Sequence, residues 1–230
     1  MPELPEVETV RRGLADRLDH FVIAKVDVCR PRAVASPGGV QDFIDGLTHS
    51  TVGTWRRRGK YLMAELEPHR GVWGVHLRMT GQFQWHDQPT DPCTHTRVRF
   101  WNSDGQELRF VDVRSFGEMW WVPPGEPVES VITGLRLLGP EPFSPDFTGE
   151  YLKTKLKGSQ RPIKTALLDQ SIVAGAGNIY ADESLFEAGL SPLTPAGTLS
   201  LDQLNSFLSS ACAGIQGSRL NVCAGPLPRA

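Results

Sequence analysis

Arg97-Val98-Arg99-Phe100 alternates basic and apolar side chains, one for one. Successive side chains of a strand point to opposite faces, so this stretch reads as a half-buried β-strand with its arginines outward. Similar short runs lie at about 51–57, 60–67, 72–79, 96–101, 107–113 and 118–122. An earlier one at 21–30 alternates Val22, Ala24, Val26 and Val28 with Ile23, Lys25 and Asp27. So many short strands at regular spacing predict a β-sandwich or a barrel-like pair of sheets.

Outward from the strands the pattern changes period. Val7, Val10, Leu14 and Leu18 recur at helical spacing with Arg11, Arg12, Arg17 and Asp19 elsewhere, an amphipathic helix reaching about residue 20. Residues 31–40 read as a loop and about 40–47 as a short helix. After Trp121 the chain becomes rich in proline (Pro123, Pro124, Pro127, Pro140, Pro142 and Pro145), the best candidate for a linker. Helices are expected at about 149–157, 161–170, 178–188 and 200–216, with Gly189 stopping the third. Ser200 and Gln203 make a capping-box start for the fourth, whose buried stripe is Leu204, Phe207, Leu208 and Ala211. The expected class is therefore α+β: a β-sandwich domain flanked by helices at 1–122, a linker at 123–148, an all-α domain at 149–216 and an irregular tail at 217–230.

The chain has 230 residues, 40% hydrophobic and 22% charged, the balance of a globular protein with one large or two small domains. It has no long apolar run to cross a membrane and no secretory signal at its start, so an intracellular location is expected. A net charge of −2 does not advertise nucleic-acid binding, but local basic patches do. Cys29, Cys93, Cys212 and Cys223 form no C-x-x-C pair and fit no usual zinc spacing, so they read as free thiols.

Chemistry is concentrated at the start, Met1-Pro2-Glu3-Leu4-Pro5-Glu6-Val7-Glu8-Thr9. Trimming of Met1 would expose Pro2 as a secondary amine, and an α-amine titrates near pH 7.7–8.0, roughly. Such an amine attacks a sugar C1′ or an aldehyde to give an iminium ion, and Glu3 beside it can shuttle the proton. The same residues also suit an ordinary helix start, with a proline and acidic side chains in the first turn. Arg56-Arg57-Arg58-Gly59-Lys60 is either a solvated sheet end or a phosphate-contacting cluster with Lys60 turned toward a reaction centre. His76-Leu77-Arg78-Met79-Thr80-Gly81 and Asp112-Val113-Arg114-Ser115-Phe116-Gly117 both end in a glycine turn. Met79, Arg114 and Phe116 are core and surface residues on the plain reading, or a wedge that fills the hole left by an extruded base. Lys153, Lys155, Lys157, Arg161 and Lys164 crowd one stretch of the helical part, a positive surface that suits backbone phosphates. Gly175-Ala176-Gly177-Asn178 opens a helix, where free backbone amides can meet a phosphate.

Together these motifs strongly resemble the formamidopyrimidine-DNA glycosylase family, which includes the endonuclease VIII-like enzymes. The N-terminal run looks like the formamidopyrimidine branch. The likeness continues through Gly59-Lys60-Tyr61-Leu62, His76 to Gly81, Arg114-Ser115-Phe116-Gly117, Leu138-Gly139-Pro140-Glu141-Pro142 and Gly177-Asn178-Ile179-Tyr180-Ala181-Asp182-Glu183-Ser184, over about residues 1–215. The resemblance implies an N-terminal β-sandwich and a helix–two-turns–helix domain with DNA in the cleft, and a flipped oxidised purine such as 8-oxoguanine or a formamidopyrimidine. It makes Pro2 the nucleophile, Glu3 the proton donor and Lys60 an aid to β-elimination. Met79, Arg114 and Phe116 fill the gap in the duplex. His95, Arg161, Lys164 and Asn178 match positions near phosphate or the lesion, and Glu6 and Glu183 match supporting residues.

The family's usual second arginine before the phenylalanine is Ser115 here. The likeness fades near Ile215, before the loop that covers the flipped base, the arginine of δ-elimination and the four-cysteine zinc hairpin. The expectation is therefore no zinc or other cofactor, a monomer acting on damaged double-stranded DNA with no membrane partner, and a cytoplasmic, nucleoid-associated location, or a nuclear one in a eukaryote. A truncated, non-catalytic damaged-DNA-binding protein is the competing expectation, and a tautomerase using Pro2 as a base a remote one.

Overall fold

A computed structural model describes residues 2–88 and 90–209. These residues form two compact units, one holding Pro2 and Glu6–Leu135, the other Glu3–Pro5 and the chain from Arg136 onward. The mixed α+β class is as expected.

The first unit is a β-sandwich. Helix α1 (Leu4–Arg17) leads in, burying Val7 and Leu14, and Leu18 follows it into the core. Strand β1 (Lys25–Val28) comes next, then α2 (Gly39–Leu47), which turns Phe43 and Leu47 inward. Seven more strands follow: β2 (Thr51–Arg58), β3 (Tyr61–Glu67), β4 (Gly71–His76), β5 (Gly81–His86), β6 (Thr96–Trp101), β7 (Glu107–Asp112) and β8 (Glu118–Val122). One sheet has the order β1-β6-β7-β5 and the other β2-β3-β4-β8, all pairs antiparallel. In β6 the burial alternates as the sequence predicts, with Val98 and Phe100 inward and Arg97 and Arg99 outward. Between the sheets Trp73 packs against Phe83 and Phe100 with ring centroids 6.1 and 4.5 Å away. Burying each such ring contributes about 2–3 kcal/mol.

Two expectations are corrected here. Strand β5 lies where the sequence reading places no strand, although Phe83 and Trp85 alternate with Gln82 and Gln84 and line the core side. The stretch expected as a linker at 123–148 is partly structured: α3 (Val128–Val131) and a 3-10 turn at Thr133–Leu137 bury Ile132 and Leu135, and both residues group with the sandwich.

The second unit is helical. It contains α4 (Gly149–Lys155), α5 (Ile163–Leu167), α6 (Asn178–Glu187) and a helix α7 from 201 through 209. Thr148 caps α4 by accepting from Tyr151 N–H at 3.1 Å. Gly189, with φ +64, follows the end of α6, and the Leu190 N–H reaches back to Leu185 O at 2.9 Å. The predicted capping box on α7 is formed: Gln203 N–H donates to Ser200 Oγ at 3.2 Å and Ser200 N–H to Gln203 Oε1 at 2.9 Å. Leu152, Leu156, Ile163, Leu167, Leu185, Leu204 and Phe207 form the core. Ala211, the rest of the expected fourth helix and the tail lie outside the described residues.

Candidate active site

Glu3 is 3% exposed and is held by the start of α6. The Ile179 N–H donates to Oε1 at 2.9 Å and the Tyr180 N–H to Oε2 at 3.2 Å. First-turn amides have no partner inside their own helix, and the helix dipole is positive there, so a carboxylate is well matched. Gly177 makes the approach possible, because a Cβ at that position would fall 2.3 Å from Glu3 Cδ. The next residue is fixed as well: Leu4 N–H donates to Gly175 O at 3.1 Å, and the Leu4 side chain clusters with Tyr180 and Phe143. Beyond the glycine loop itself, the Ile179 and Tyr180 donors at this helix start hold the chain's own carboxylate. Half-buried Pro2 stands one peptide bond before that anchor.

In the sandwich, Gly59 and Lys60 form the turn between β2 and β3, flanked by the Arg58–Tyr61 pair. The turn requires a left-handed residue, and Gly59 supplies it at φ +55. Lys60 is 5% exposed. The Arg57 guanidinium braces the turn by donating from Nη1 to Gly59 O at 3.0 Å. Its Nε donates to Glu8 Oε2 at 3.3 Å, and Glu8 also accepts from Arg11 at 2.9 Å and Arg12 at 3.0 Å. Burial works to raise the Glu8 pKa, but the hydrogen bonds from Arg11 and Arg12 and the charges of Arg11 and Arg57 outweigh it and hold it at about 2. Arg56 pairs with Glu65 at 2.6 Å. Of the two readings of this run, Arg56 and Arg57 follow the plainer one, since both pair with carboxylates of the sandwich.

The structure brings Met79, Arg114 and Phe116 together at two loop tips. Arg114 Nη1 lies 3.1 Å from Met79 Sδ, and its guanidinium carbon sits 4.8 Å from the Phe116 ring centre. Met79 is 41% and Phe116 40% exposed, so neither is a core residue. His95 is exposed, with Nδ1 3.4 Å from Arg97 Nη2. Below the first tip, His76 is buried and its pKa is pushed down to about 3, by burial first and then by the charges of Arg78 and Lys60. Neutral Nδ1 of His76 accepts from the Arg78 N–H at 3.0 Å.

The remaining expected residues are on or near the helical unit. Exposed Asn178 is the first residue of α6, and exposed Glu183 lies about one and a half turns further. Glu6 is half-buried in the first turn of α1. Arg161 pairs with Asp169 at 3.2 Å and Lys164 with Asp182 at 2.8 Å. Lys153 reaches the backbone carbonyl of Leu199. The positive patch expected from five basic residues is therefore partly neutralised from within by Asp169 and Asp182, while Lys153, Lys155, Lys157 and Arg161 remain exposed.

Sequence reasoning missed Glu8, Glu118 and Asp112. Glu118 pairs with Arg78, and fully buried Asp112 accepts from groups on both loop tips. Asp112 stands two residues before Arg114, the offset at which a carboxylate caps a following backbone amide, and that spacing is the signal that could have found it. Among the described residues no three His, Cys, Asp or Glu side chains come together to hold a metal. Cys29 and Cys93 are exposed, and Cys212 and Cys223 lie outside the described residues. The described donor set does not fit a four-cysteine zinc site.

Two family models match the chain: the formamidopyrimidine-DNA glycosylase N-terminal domain over residues 1–119 and the formamidopyrimidine-DNA glycosylase H2TH domain over 138–218. A formamidopyrimidine-DNA glycosylase of Parasynechococcus marenigrum is 71% identical over 210 residues, 91% of this chain and 76% of that protein. One of Prochlorococcus marinus is 65% identical, covering 86% of this chain and 73% of that protein. Among solved structures, the Lactococcus lactis formamidopyrimidine-DNA glycosylase non-covalently bound to DNA with an abasic site aligns with a TM-score of 0.87 at 32% identity, over 97% of this chain and 84% of that one. A mutant of the Lactococcus lactis enzyme in complex with DNA containing a formamidopyrimidine nucleotide aligns at 0.86 and 32% identity, over 95% of this chain and 79% of that one.

Proposed function

The chain belongs to the formamidopyrimidine-DNA glycosylase family and is a base-excision-repair DNA glycosylase, and from that premise we propose that it acts through a Schiff base on Pro2 and also cleaves the abasic strand. The observation that carries the proposal is the fixed carboxylate of Glu3, set immediately after the proline by two amides of α6.

With Met1 removed, the neutral Pro2 nitrogen attacks C1′ of the damaged nucleotide. The bond from C1′ to the base breaks, and the base leaves with a proton. Glu3 supplies and takes up protons as the sugar ring opens and an iminium links C1′ to Pro2. Loss of a C2′ proton then expels the 3′ phosphate in β-elimination, with Lys60 assisting, and water releases the sugar from Pro2. The substrate class is an oxidised purine, 8-oxoguanine or a ring-opened formamidopyrimidine, taken out of the stack for reaction. Met79, Arg114 and Phe116 fill the space it leaves, and His95, Arg161, Lys164 and Asn178 contact phosphate or the lesion. Glu6 and Glu183 support them.

Damaged double-stranded DNA is the partner, bound by a cytoplasmic monomer. Among the described residues no helix is long and apolar enough to cross a membrane. The competing expectation of a non-catalytic binder is not favoured, since the relatives that match over most of the chain are named glycosylases.

Borohydride trapping on duplex DNA containing 8-oxoguanine, beside an abasic duplex, tests the reading. A covalent adduct mapped to Pro2 by mass is expected on both, and Pro2→Gly is expected to reduce trapping sharply. Full lyase activity in Pro2→Gly without an adduct in the wild type would refute the mechanism.

A further inference from the structure

We propose that Asp112 is the positioning residue of the DNA wedge, holding Met79, Arg114 and Phe116 in the geometry that enters the duplex. This rests on the functional reading above and adds the element that makes the wedge rigid.

Asp112 is the last residue of β7 and is fully buried. Its carboxylate is shared between the two tips. Oδ1 accepts from the Thr80 hydroxyl on the first tip and from the Arg114 N–H at 3.2 Å on the second. Oδ2 accepts from the Gly117 N–H at 2.7 Å. The Thr80 hydroxyl in turn lies 3.1 Å from the Arg114 N–H, closing a small ring of polar groups beneath the wedge. The Asp112 backbone reaches the third DNA-facing segment. Its N–H donates to His95 O at 2.9 Å, and its carbonyl accepts from Arg97 Nε at 2.7 Å.

The wedge side chains cannot supply this order themselves. They touch one another through a thioether and a ring face, both weak acceptors. Their backbones are also strained. Arg78, just before Met79, has φ +54, and Ser115, between Arg114 and Phe116, has φ +56. Non-glycine residues hold the left-handed region only where the surroundings over-determine it. Here Arg78 is held by its ion pair to Glu118 and by His76, and Ser115 by Arg32 Nε, which donates to its carbonyl at 3.2 Å. Asp112 is the group that couples the two held tips to each other.

The chemistry calls for a carboxylate. Three donors converge on its two oxygens, so an amide in its place would turn an N–H toward another N–H or O–H. In Asp112→Asn at least one buried donor loses its acceptor, and the tips separate. Thr80→Val removes the bridging hydroxyl alone.

The test compares wild type, Asp112→Asn and Thr80→Val, each with Met1 shown to be removed and thermal melting recorded. Three readouts are taken: single-turnover excision of 8-oxoguanine from a duplex, cleavage of a single-stranded abasic oligonucleotide, and fluorescence of 2-aminopurine placed beside the lesion, which rises when the stack is opened. We expect excision from the duplex to fall about tenfold or more in Asp112→Asn and about threefold in Thr80→Val, as expected for misplaced groups. Single-stranded cleavage, which needs no wedge, should stay within about twofold, and the fluorescence rise should be lost or slowed. Equal loss of both activities would make Asp112 a merely structural residue and overturn the proposal, as would folded variants that open the stack like wild type. Should Asp112→Asn fail to fold, Thr80→Val decides by the same criteria. The fluorescence readout needs no turnover, so an inactive wild-type chain would refute the functional reading while Asp112 is still judged on stack opening.

Discussion

Arg57 and Glu8 meet at 3.3 Å with their side chains only 10% and 9% exposed, which ties helix α1 to the hairpin that carries Lys60. The same guanidinium holds the carbonyl of Gly59. One arginine therefore reaches both the element that leads out of the N-terminus and the turn that presents a lysine.

This cluster makes a pH prediction. The Glu8 pKa is held at about 2, against an ordinary 4.5, so its contribution to stability is full above pH 4.5 and is lost as pH falls through about 2. The loss amounts to about 3 kcal/mol. Glu8→Gln should remove most of this dependence, which denaturant melts between pH 5 and pH 2 will follow (roughly the titration window).

His76 acts over a higher window. It is neutral when folded, with a pKa of about 3 against 6.5, so the unfolded chain takes up a proton that the folded chain refuses. Stability should fall as pH drops below 6.5, by at most about 1.4 kcal/mol per pH unit from this residue. His86 is also pushed down, chiefly by burial, and adds in the same direction. Melting temperatures of His76→Gln should show a shallower decline between pH 6.5 and pH 4.5 than wild type. An unchanged slope would contradict the assignment.

Gly177→Ala tests the Glu3 anchor directly. The added methyl would sit 2.3 Å from Glu3 Cδ, so the carboxylate must leave its two amides. A displacement of that size should slow borohydride trapping by about 100-fold. Retained trapping at the wild-type rate would mean that Glu3 need not sit where it is found.

Ser200→Ala tests the capping box of α7. Losing the Ser200 hydroxyl should cost about 1 kcal/mol and lower the melting temperature by a few degrees, without changing trapping per folded molecule.

Much of the fold is legible because the periods are clean. Val98 and Phe100 against Arg97 and Arg99 mark a strand, and Ser200 with Gln203 marks a helix start. β5 escapes such a reading because Gly81 and the turn at Arg78, Met79 and Thr80 before it look like the end of a strand, when the chain begins another at Gly81 itself. The candidate site offers residue types in the sequence but not their partners. Nothing in the spacing of Glu3 announces the amides of Ile179 and Tyr180, since the pairing is made by tertiary packing. The arginines at 56 and 57 look like ligands for phosphate because their carboxylates, Glu65 and Glu8, lie elsewhere in the sequence.

The bond between Glu3 and the start of α6 spans 176 residues. On the ribosome Glu3 is made long before α6, yet its carboxylate cannot settle until α6 has been synthesised. Pairing across such separations forms late, because loop closure must precede it. The nascent chain therefore displays this carboxylate long before its two amide partners exist, and its anchoring waits for the helical unit. Synthesis itself imposes the delay.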